Sequence, residues 1–181
     1  TGSLDLGSAP ANAAGPDLRQ LLLGSEGAFG VITSVTVRVR RAPAVTTYEG
    51  WRWPSFDVGS DAMRTLVQAG LLPTVLRLSD ESETAINLAD PSSIGGADDP
   101  GCLMITGYEG TGAQVAARRD AVTAALADLG GAPLGTEPGE KWVQGRFHAP
   151  YLRDALLDHG VLVETLETAT FWSNLPRLYD A

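Results

Sequence analysis

Cysteine, histidine and lysine are scarce in this chain of 181 residues, which has one cysteine, two histidines and a single lysine among its 13 basic residues. One cysteine cannot form an intramolecular disulfide, and one cysteine with two histidines leaves too few ligands for a zinc site of those residues. No arrangement of acid, serine or cysteine around His148 or His159 suggests a catalytic triad. We expect Cys102, in the apolar run CLMITGY, to be a buried structural thiol.

An excess of positive charge and long apolar runs are also missing. The net charge of −9 argues against a nucleic-acid partner, because phosphate recognition depends on a basic surface. No apolar stretch approaches the roughly 18 residues that a membrane helix needs. The sequence therefore predicts no nucleic-acid partner, no membrane span and no metal site, and we expect a cytoplasmic protein. Its composition, 44% hydrophobic and 19% charged, is that of an ordinary globular protein.

The ends of the sequence resemble internal positions of a longer chain. It starts at Thr1 instead of methionine, and it stops at SNLPRLYDA, where Pro176 stands near the start of a helix that has barely begun. We therefore expect a piece of a longer protein. RAPA, at 41–44, breaks the strand pattern before it and predicts a domain boundary, which divides the chain into 1–43 and 44–181.

The first part is predicted to contain a loop, a short helix, a glycine-rich turn and a strand. Asp17 can cap a helix over 18–23 that Gly24 ends. In VITSVTVRVR, at 31–40, valines alternate with polar residues, which is typical of a strand.

The second part reads as a regular series of strands and helices. Helices are predicted at 55–70, 112–131 and 150–160, and strands at 45–53, 74–79, 102–110 and 161–170, with a possible short strand at 84–89. Two β-α-β halves of similar length predict a ferredoxin-like α+β fold, an antiparallel sheet with helices packed on one face.

The segment GSEGAFG, at 24–30, spaces its three glycines three residues apart. A Rossmann fingerprint requires strand, glycines and then helix, whereas the order here is helix, glycines and then strand, which excludes that interpretation. No Gly-Lys-Ser/Thr follows, so a P-loop is excluded too. From spacing alone, the segment is either a tight turn that needs positive φ or a place where backbone approaches a flat or phosphorylated ligand.

The segment GPDLRQLLLGSEGAFGVITSVTVRVRRAP resembles the end of the FAD-binding domain in the vanillyl-alcohol-oxidase/p-cresol-methylhydroxylase family of flavoproteins. The resemblance rests on the signature G-[ST]-E-G-x-x-G-[VI]-[IV]-T. It implies FAD as cofactor and an FAD-dependent enzyme. It also implies that 1–43 end an FAD-binding (PCMH-type) domain and that 44–181 are an incomplete FAD-linked oxidase C-terminal cap domain. The FAD contacts that it implies are Gly24, Ser25, Glu26, Gly27, Gly30, Val31 and Ile32.

The segment YLRDALLDHGVLVETLETATFWSNL resembles the cap domain, most closely in the alkyldihydroxyacetonephosphate synthase branch of that family. The resemblance implies a small-molecule or lipid-like substrate and an exchange of an acyl chain for an alkyl chain on a dihydroxyacetone phosphate skeleton. It implies substrate contacts at Arg153, Glu164 and Thr168, with the catalytic residues outside this chain. On spacing alone, Arg153 could instead pair with a nearby carboxylate, and Glu164 or Glu167 with an arginine such as Arg146.

Two other functions stay open. One is an FAD-dependent 2-hydroxyacid dehydrogenase or oxidase of the same superfamily, although we find no histidine-rich metal-binding motif in the second half. The other is an α+β binding module without catalysis. We also expect that this chain alone binds FAD weakly or not at all and turns nothing over, and that the protein can form a homodimer.

Overall fold

The computed structural model describes residues 2–88, 101–147, 149–163 and 166–181. The chain divides into two compact units, Thr1–Ala42 and Pro43–Ala181. The assignment of 1–43 and 44–181 to two family domains stays a prediction.

The first unit contains one short helix, α1 (Arg19–Leu22), within the predicted range. Asp17 begins it, because its Oδ1 accepts hydrogen bonds from the backbone amide of Arg19 at 3.2 Å and from Arg19 Nε at 2.8 Å. The strand predicted over 31–40 is absent from the described structure. Its amides have no neighbouring strand to bond with, and an unpaired strand is not stable in water. Its valines are exposed as a result, with 87% of the surface of Val31 and 81% of that of Val39 accessible.

The second unit is built on a four-stranded antiparallel sheet in the order β2-β3-β1-β4. This is the ferredoxin-like order for two β-α-β halves, so the predicted fold class is confirmed. The predicted strand at 84–89 is wrong, because a helix occupies those residues up to Leu88. The elements are β1 (Val45–Trp53), α2 (Phe56–Gln68), β2 (Val75–Ser79), α3 (Glu81–Leu88), β3 (Cys102–Gly110), α4 (Gly112–Asp128) and β4 (Ala132–Gly135).

Helix α3 replaces the predicted short strand because a capping residue precedes it. Asp80 Oδ1 accepts a hydrogen bond from the backbone amide of Glu83 at 2.7 Å. Glu81 and Glu83 place two carboxylates in the first turn, where the partial positive charge of a helix start favours them.

The chain after β4 is helical with irregular connections. It forms α5 (Glu137–Gly145), α6 (Ala149–Asp158), a 3-10 turn (Trp172–Asn174) and α7 (Leu175–Tyr179). The strand predicted over 161–170 is wrong for the part that is described, since neither 161–163 nor 166–170 is in a sheet. The sequence also missed β4 and α5, because glycine and proline in APLG and EPGEKW made this stretch read as irregular.

The hydrophobic core lies between the sheet and the helices α2 and α4. Trp51 pairs with Met104 across the β1–β3 ladder and Trp53 with Cys102, and this row packs against Leu66 of α2 and Leu126 of α4. Cys102 is buried and free, as predicted.

Helix α5 covers the opposite face of the sheet, where the sequence predicted no helix. Gly50 of β1 alternates with Trp51 and so faces the other way, and a Cβ atom there would lie 2.8 Å from Pro138 Cβ. A Cβ atom on Gly139 would lie 2.6 Å from the carbonyl carbon of Tyr48. The two glycines therefore let α5 lie directly on the backbone of β1.

Candidate functional site

The glycine segment 24–30 forms consecutive turns after α1. Gly24, Gly27 and Gly30 have φ values of 76°, 86° and 149°, and Glu26 has a φ of 50°, which is uncommon outside glycine. The amide of Ala28 donates to the carbonyl of Ser25 at 2.9 Å. The three glycines are therefore needed for backbone conformation.

This segment can donate hydrogen bonds to a ligand. Within the described part of the chain, the backbone amides of Glu26, Gly27 and Phe29 have no acceptor. A Cβ atom on any of the three glycines would meet nothing within 4 Å, so a ligand could come close to the backbone on that side. Val31 and Ile32 follow, both exposed. Because its amide donors are unpaired and its backbone is open on one side, the segment fits a flat, acceptor-rich group such as a flavin.

Arg153 lies on α6 with an exposed side chain and engages its neighbour Asp154. Its Nη2 and Nε lie 3.2 Å and 3.4 Å from Asp154 Oδ1. Arg153 therefore pairs with a nearby carboxylate, as the alternative from spacing alone predicted, and the partner is the adjacent Asp154. An exposed pair of this kind contributes at most about 1 kcal/mol, so a substrate anion could displace Asp154.

Thr168 and Trp172 line a shallow pocket of about 170 Å³ before α7, and Glu164 lies outside the described residues. The two threonines of the pocket add hydroxyl groups to an otherwise apolar wall. The structure thus brings Thr168 together with Trp172 at one pocket. Its lining residues are Thr168, Thr170, Trp172, Leu175 and Leu178.

An aromatic and arginine cluster, which the sequence prediction missed, lies at the end of α5. The Cζ atom of Arg146 is 5.2 Å from the centre of the Trp142 ring and 4.6 Å from that of Phe147. The Trp142 ring lies 6.0 Å from that of Tyr48 on β1. Partial burial, and then a hydrogen bond to Glu109, raise the pKa of Tyr48. The spacing of Trp142 and Arg146, four residues apart on a helix, was the available signal.

A polar group lies within the core beside β1. Glu49 Oε1 is bonded by Arg119, and Glu49 Oε2, Thr106 Oγ1 and Tyr108 Oη are buried without a hydrogen-bond partner among the described residues. Burial is the main cause that raises the pKa of Tyr108, and the negative charge of Glu49 adds to it. This group lies on the sheet face that α2 and α4 cover, so it belongs to the packing of the domain.

Across the described ranges, no group of three or more His, Cys, Asp or Glu side chains could hold a metal ion. None of the helices seen in those ranges is long and apolar enough to cross a membrane.

The chain is similar to known alkyldihydroxyacetonephosphate synthases. It is 33% identical over 186 residues to the one from Trypanosoma brucei brucei, covering 92% of this chain and 30% of that relative. It is 30% identical to the one from Dictyostelium discoideum, covering 99% of this chain and 32% of that relative. A solved structure of an alkyldihydroxyacetonephosphate synthase superposes with a TM-score of 0.76 at 32% identity, over 93% of this chain and 35% of that one. The chain thus spans about a third of the length of these relatives.

A family model described as "FAD linked oxidases, C-terminal domain" matches residues 42–181. That range contains the whole ferredoxin-like sheet and the helices on both of its faces. The sheet order agrees with the fold that the resemblance implies, and the family match agrees with FAD as the cofactor. The chain belongs to the family of FAD-linked oxidases, whose C-terminal-domain model matches residues 42–181.

Proposed function

We propose that this chain is part of an FAD-dependent alkyldihydroxyacetonephosphate synthase. The observation that carries the proposal is the extent of the similarity, which covers 99% of this chain for one synthase and therefore both units. Similarity to the C-terminal domain alone would support only the broader class of FAD-linked oxidases.

The proposed reaction exchanges one chain for another on the dihydroxyacetone phosphate skeleton. The ester-linked fatty acid leaves, and a fatty alcohol supplies the oxygen and alkyl chain of the new ether. When bound, FAD supplies covalent catalysis without net oxidation or reduction of the substrate.

The residues of this chain would hold the reactants. The amides of Glu26 and Gly27, two of the predicted contacts, and the amide of Phe29, which was not among them, would donate to FAD. Arg153 would exchange Asp154 for an anionic part of the substrate. The pocket at Thr168 would contact the substrate through the threonine hydroxyl and apolar carbon.

The experiment is an exchange assay on the full-length protein that carries this chain. Labelled hexadecanol and acyl-dihydroxyacetone phosphate are expected to give a labelled ether lipid and one free fatty acid per turnover. Flavin absorption bleached by a 2-hydroxyacid, without exchange, would instead establish the dehydrogenase alternative.

Matched glycine variants test the cofactor segment. Gly27→Val places a β-branched residue at a φ of 86° and is expected to lower the flavin content of the full-length protein. Gly15→Val, at a φ of 115° in the same unit but outside the signature, is the control. Equal flavin loss in both variants would contradict a specific role for the segment.

We also propose a cytoplasmic location, a lipid-like small-molecule substrate and a homodimer. Cell fractionation and analytical ultracentrifugation of the full-length protein test the location and the oligomeric state.

A further inference from the structure

Arg146 is held by aromatic rings at the carboxyl end of α5. Its guanidinium lies near both the Trp142 and Phe147 rings, and its backbone amide donates to the carbonyl of Trp142 at 2.9 Å. A guanidinium that lies over aromatic rings uses its planar face for that contact. Its N–H groups, which point outward in the plane, stay available to an acceptor.

Of the two rings, that of Trp142 contacts the sheet. The Trp142 ring is tilted by 51° against that of Tyr48, and the Tyr48 hydroxyl donates to Glu109 Oε1 at 3.1 Å. A series of side chains thus leads from β3 through β1 to Arg146. These contacts restrict a long, flexible side chain before any ligand arrives, which lowers the entropy that binding would cost.

Arg146 has no carboxylate within ion-pair distance among the described residues, although acidic side chains outnumber basic ones by 22 to 13. Other arginines do form ion pairs with carboxylates: Arg64 pairs with Asp61, Arg119 with Glu49 and Arg153 with Asp154. Arg118 on α4 also lacks a carboxylate, but no aromatic ring contacts it in the described structure. Arg146 thus combines an unpaired charge with a fixed position.

We propose that Arg146, held by Trp142 and Phe147, is a binding residue for the phosphate group of a phosphomonoester substrate. The choice of ligand rests on the proposed function, whose dihydroxyacetone phosphate skeleton carries such a group. A guanidinium donates two parallel N–H bonds to a phosphate, and an overall acidic chain otherwise repels that anion. Among the residues that the structure describes, the acid joined to this cluster is Glu109, and its Oε1 already accepts the Tyr48 hydroxyl.

The test is a titration of the 181-residue chain with inorganic phosphate and with glycerol 3-phosphate, followed by NMR through the arginine Nε–Hε signals. Both ligands are expected to shift one signal saturably, and that signal is absent from Arg146→Gln. Arg146→Gln is expected to weaken binding at least about tenfold, the value of a lost charge-assisted bond. Glycerol, which lacks the phosphate, is expected to produce no shift.

Three further variants separate the roles of charge, shape and aromatic contact. Arg146→Lys keeps the charge but loses the planar fork, so an intermediate affinity is expected. Phe147→Leu is expected to weaken binding about two- to fivefold through the lost ring contact. Arg118→Gln, exposed and unpaired, is the matched control and is expected to bind like the unchanged chain.

Unchanged affinity in Arg146→Gln, or an equal loss in Arg118→Gln, would overturn the proposal. Because Arg146 and Phe147 are exposed, unfolding midpoints are expected to stay the same, which separates binding from folding. The titration needs neither FAD nor turnover. If phosphate binds through Arg146 but the full-length protein shows no alkyl exchange, the proposed function alone is rejected. If the full-length protein shows alkyl exchange but phosphate binding does not depend on Arg146, this inference alone is rejected.

Discussion

Glu49 on β1 accepts two hydrogen bonds from Arg119 on α4 through a single oxygen, Oε1, at 2.8 Å from Nε and 2.5 Å from Nη2. The carboxylate is buried, whereas the guanidinium is about half exposed. The hydrogen bond to Glu49 raises the pKa of Arg119, which favours the charged form of the guanidinium. The pair joins a central strand to the helix that covers it.

Removal of Arg119 is expected to destabilise the chain. In Arg119→Ala, the buried carboxylate of Glu49 loses its counter-charge, and we expect the free energy of unfolding to fall by about 3 kcal/mol. Urea denaturation followed by tryptophan fluorescence measures it. Arg64→Ala, which removes the exposed pair with Asp61, is the control and is expected to change stability by less than about 1 kcal/mol. Similar losses in the two variants would contradict the role of burial.

The start of α4 carries a complete capping box. Thr111 Oγ1 accepts from the Gln114 amide at 3.4 Å, and Gln114 Oε1 accepts from the Thr111 amide at 3.1 Å. Thr111→Ala is expected to cost about 1 kcal/mol of unfolding free energy. Thr136→Ala at the start of α5, where the threonine makes no capping bond, is expected to cost less. The order of the two urea midpoints decides the prediction.

Cys102 is expected to be unreactive in the folded chain. Burial, and then a hydrogen bond to Glu81, raise the pKa of its thiol to about 12. Since the thiolate is the reactive form, labelling by iodoacetamide at pH 8 is expected only after unfolding in urea. Equal labelling rates with and without urea would contradict this burial.

The raised pKa of the Cys102 thiol also predicts that the stability of the chain falls at high pH. The pKa of the thiol is 9.0 when it is free of the fold and about 12 in the folded chain, so the unfolded state loses its proton first as the pH rises. The contribution of Cys102 to stability is therefore complete below pH 9.0 and is lost as the pH rises towards about 12. Chemical denaturation across this range, compared with Cys102→Ala, is expected to show a steeper fall for the unchanged chain.

Replacing two glycines of α5 with alanine is expected to change the stability of the chain in opposite directions. In Gly139→Ala, the new Cβ atom would meet the backbone of Tyr48, and overpacking of this kind costs about 2 kcal/mol. In Gly145→Ala, the Cβ atom meets nothing within 4 Å, so the higher helix propensity of alanine is expected to raise stability by up to about 1 kcal/mol. Thermal unfolding of both variants measures the contrast. Destabilisation of equal size in both would contradict the close contact.

The sequence predicted elements well where local pattern and tertiary setting agree. The strand at 102–110 has its predicted bounds, because a continuous apolar run between glycines suits a central strand that is buried on both faces. The prediction of a strand at 84–89 is wrong because the alternation there is short and Asp80 caps a helix that begins at Glu81. Over 31–40 the alternation is clean, but a strand also needs a partner, which alternation cannot supply.

The candidate sites divide in the same way. The glycine segment could be recognised because positive φ values require glycine locally. The contact of Glu49 with Arg119 joins residues 70 positions apart, and the position of Trp142 against Tyr48 depends on how α5 crosses the sheet. Contacts of this range follow from the fold and leave no periodic signal in the sequence.

The crossing of α5 over β1 at Gly50 and Gly139 also determines how the surface near it can vary. At these two positions α5 lies against the strand so closely that a Cβ atom on either glycine would collide with its neighbour across the contact. The position of Arg146 at the end of α5 therefore depends on the contact of α5 with β1. Substitutions of the exposed residues on the outer surface around Arg146 would leave that contact in place. Substitutions on that outer surface would change which molecule the guanidinium recognises while its coordinates stay the same.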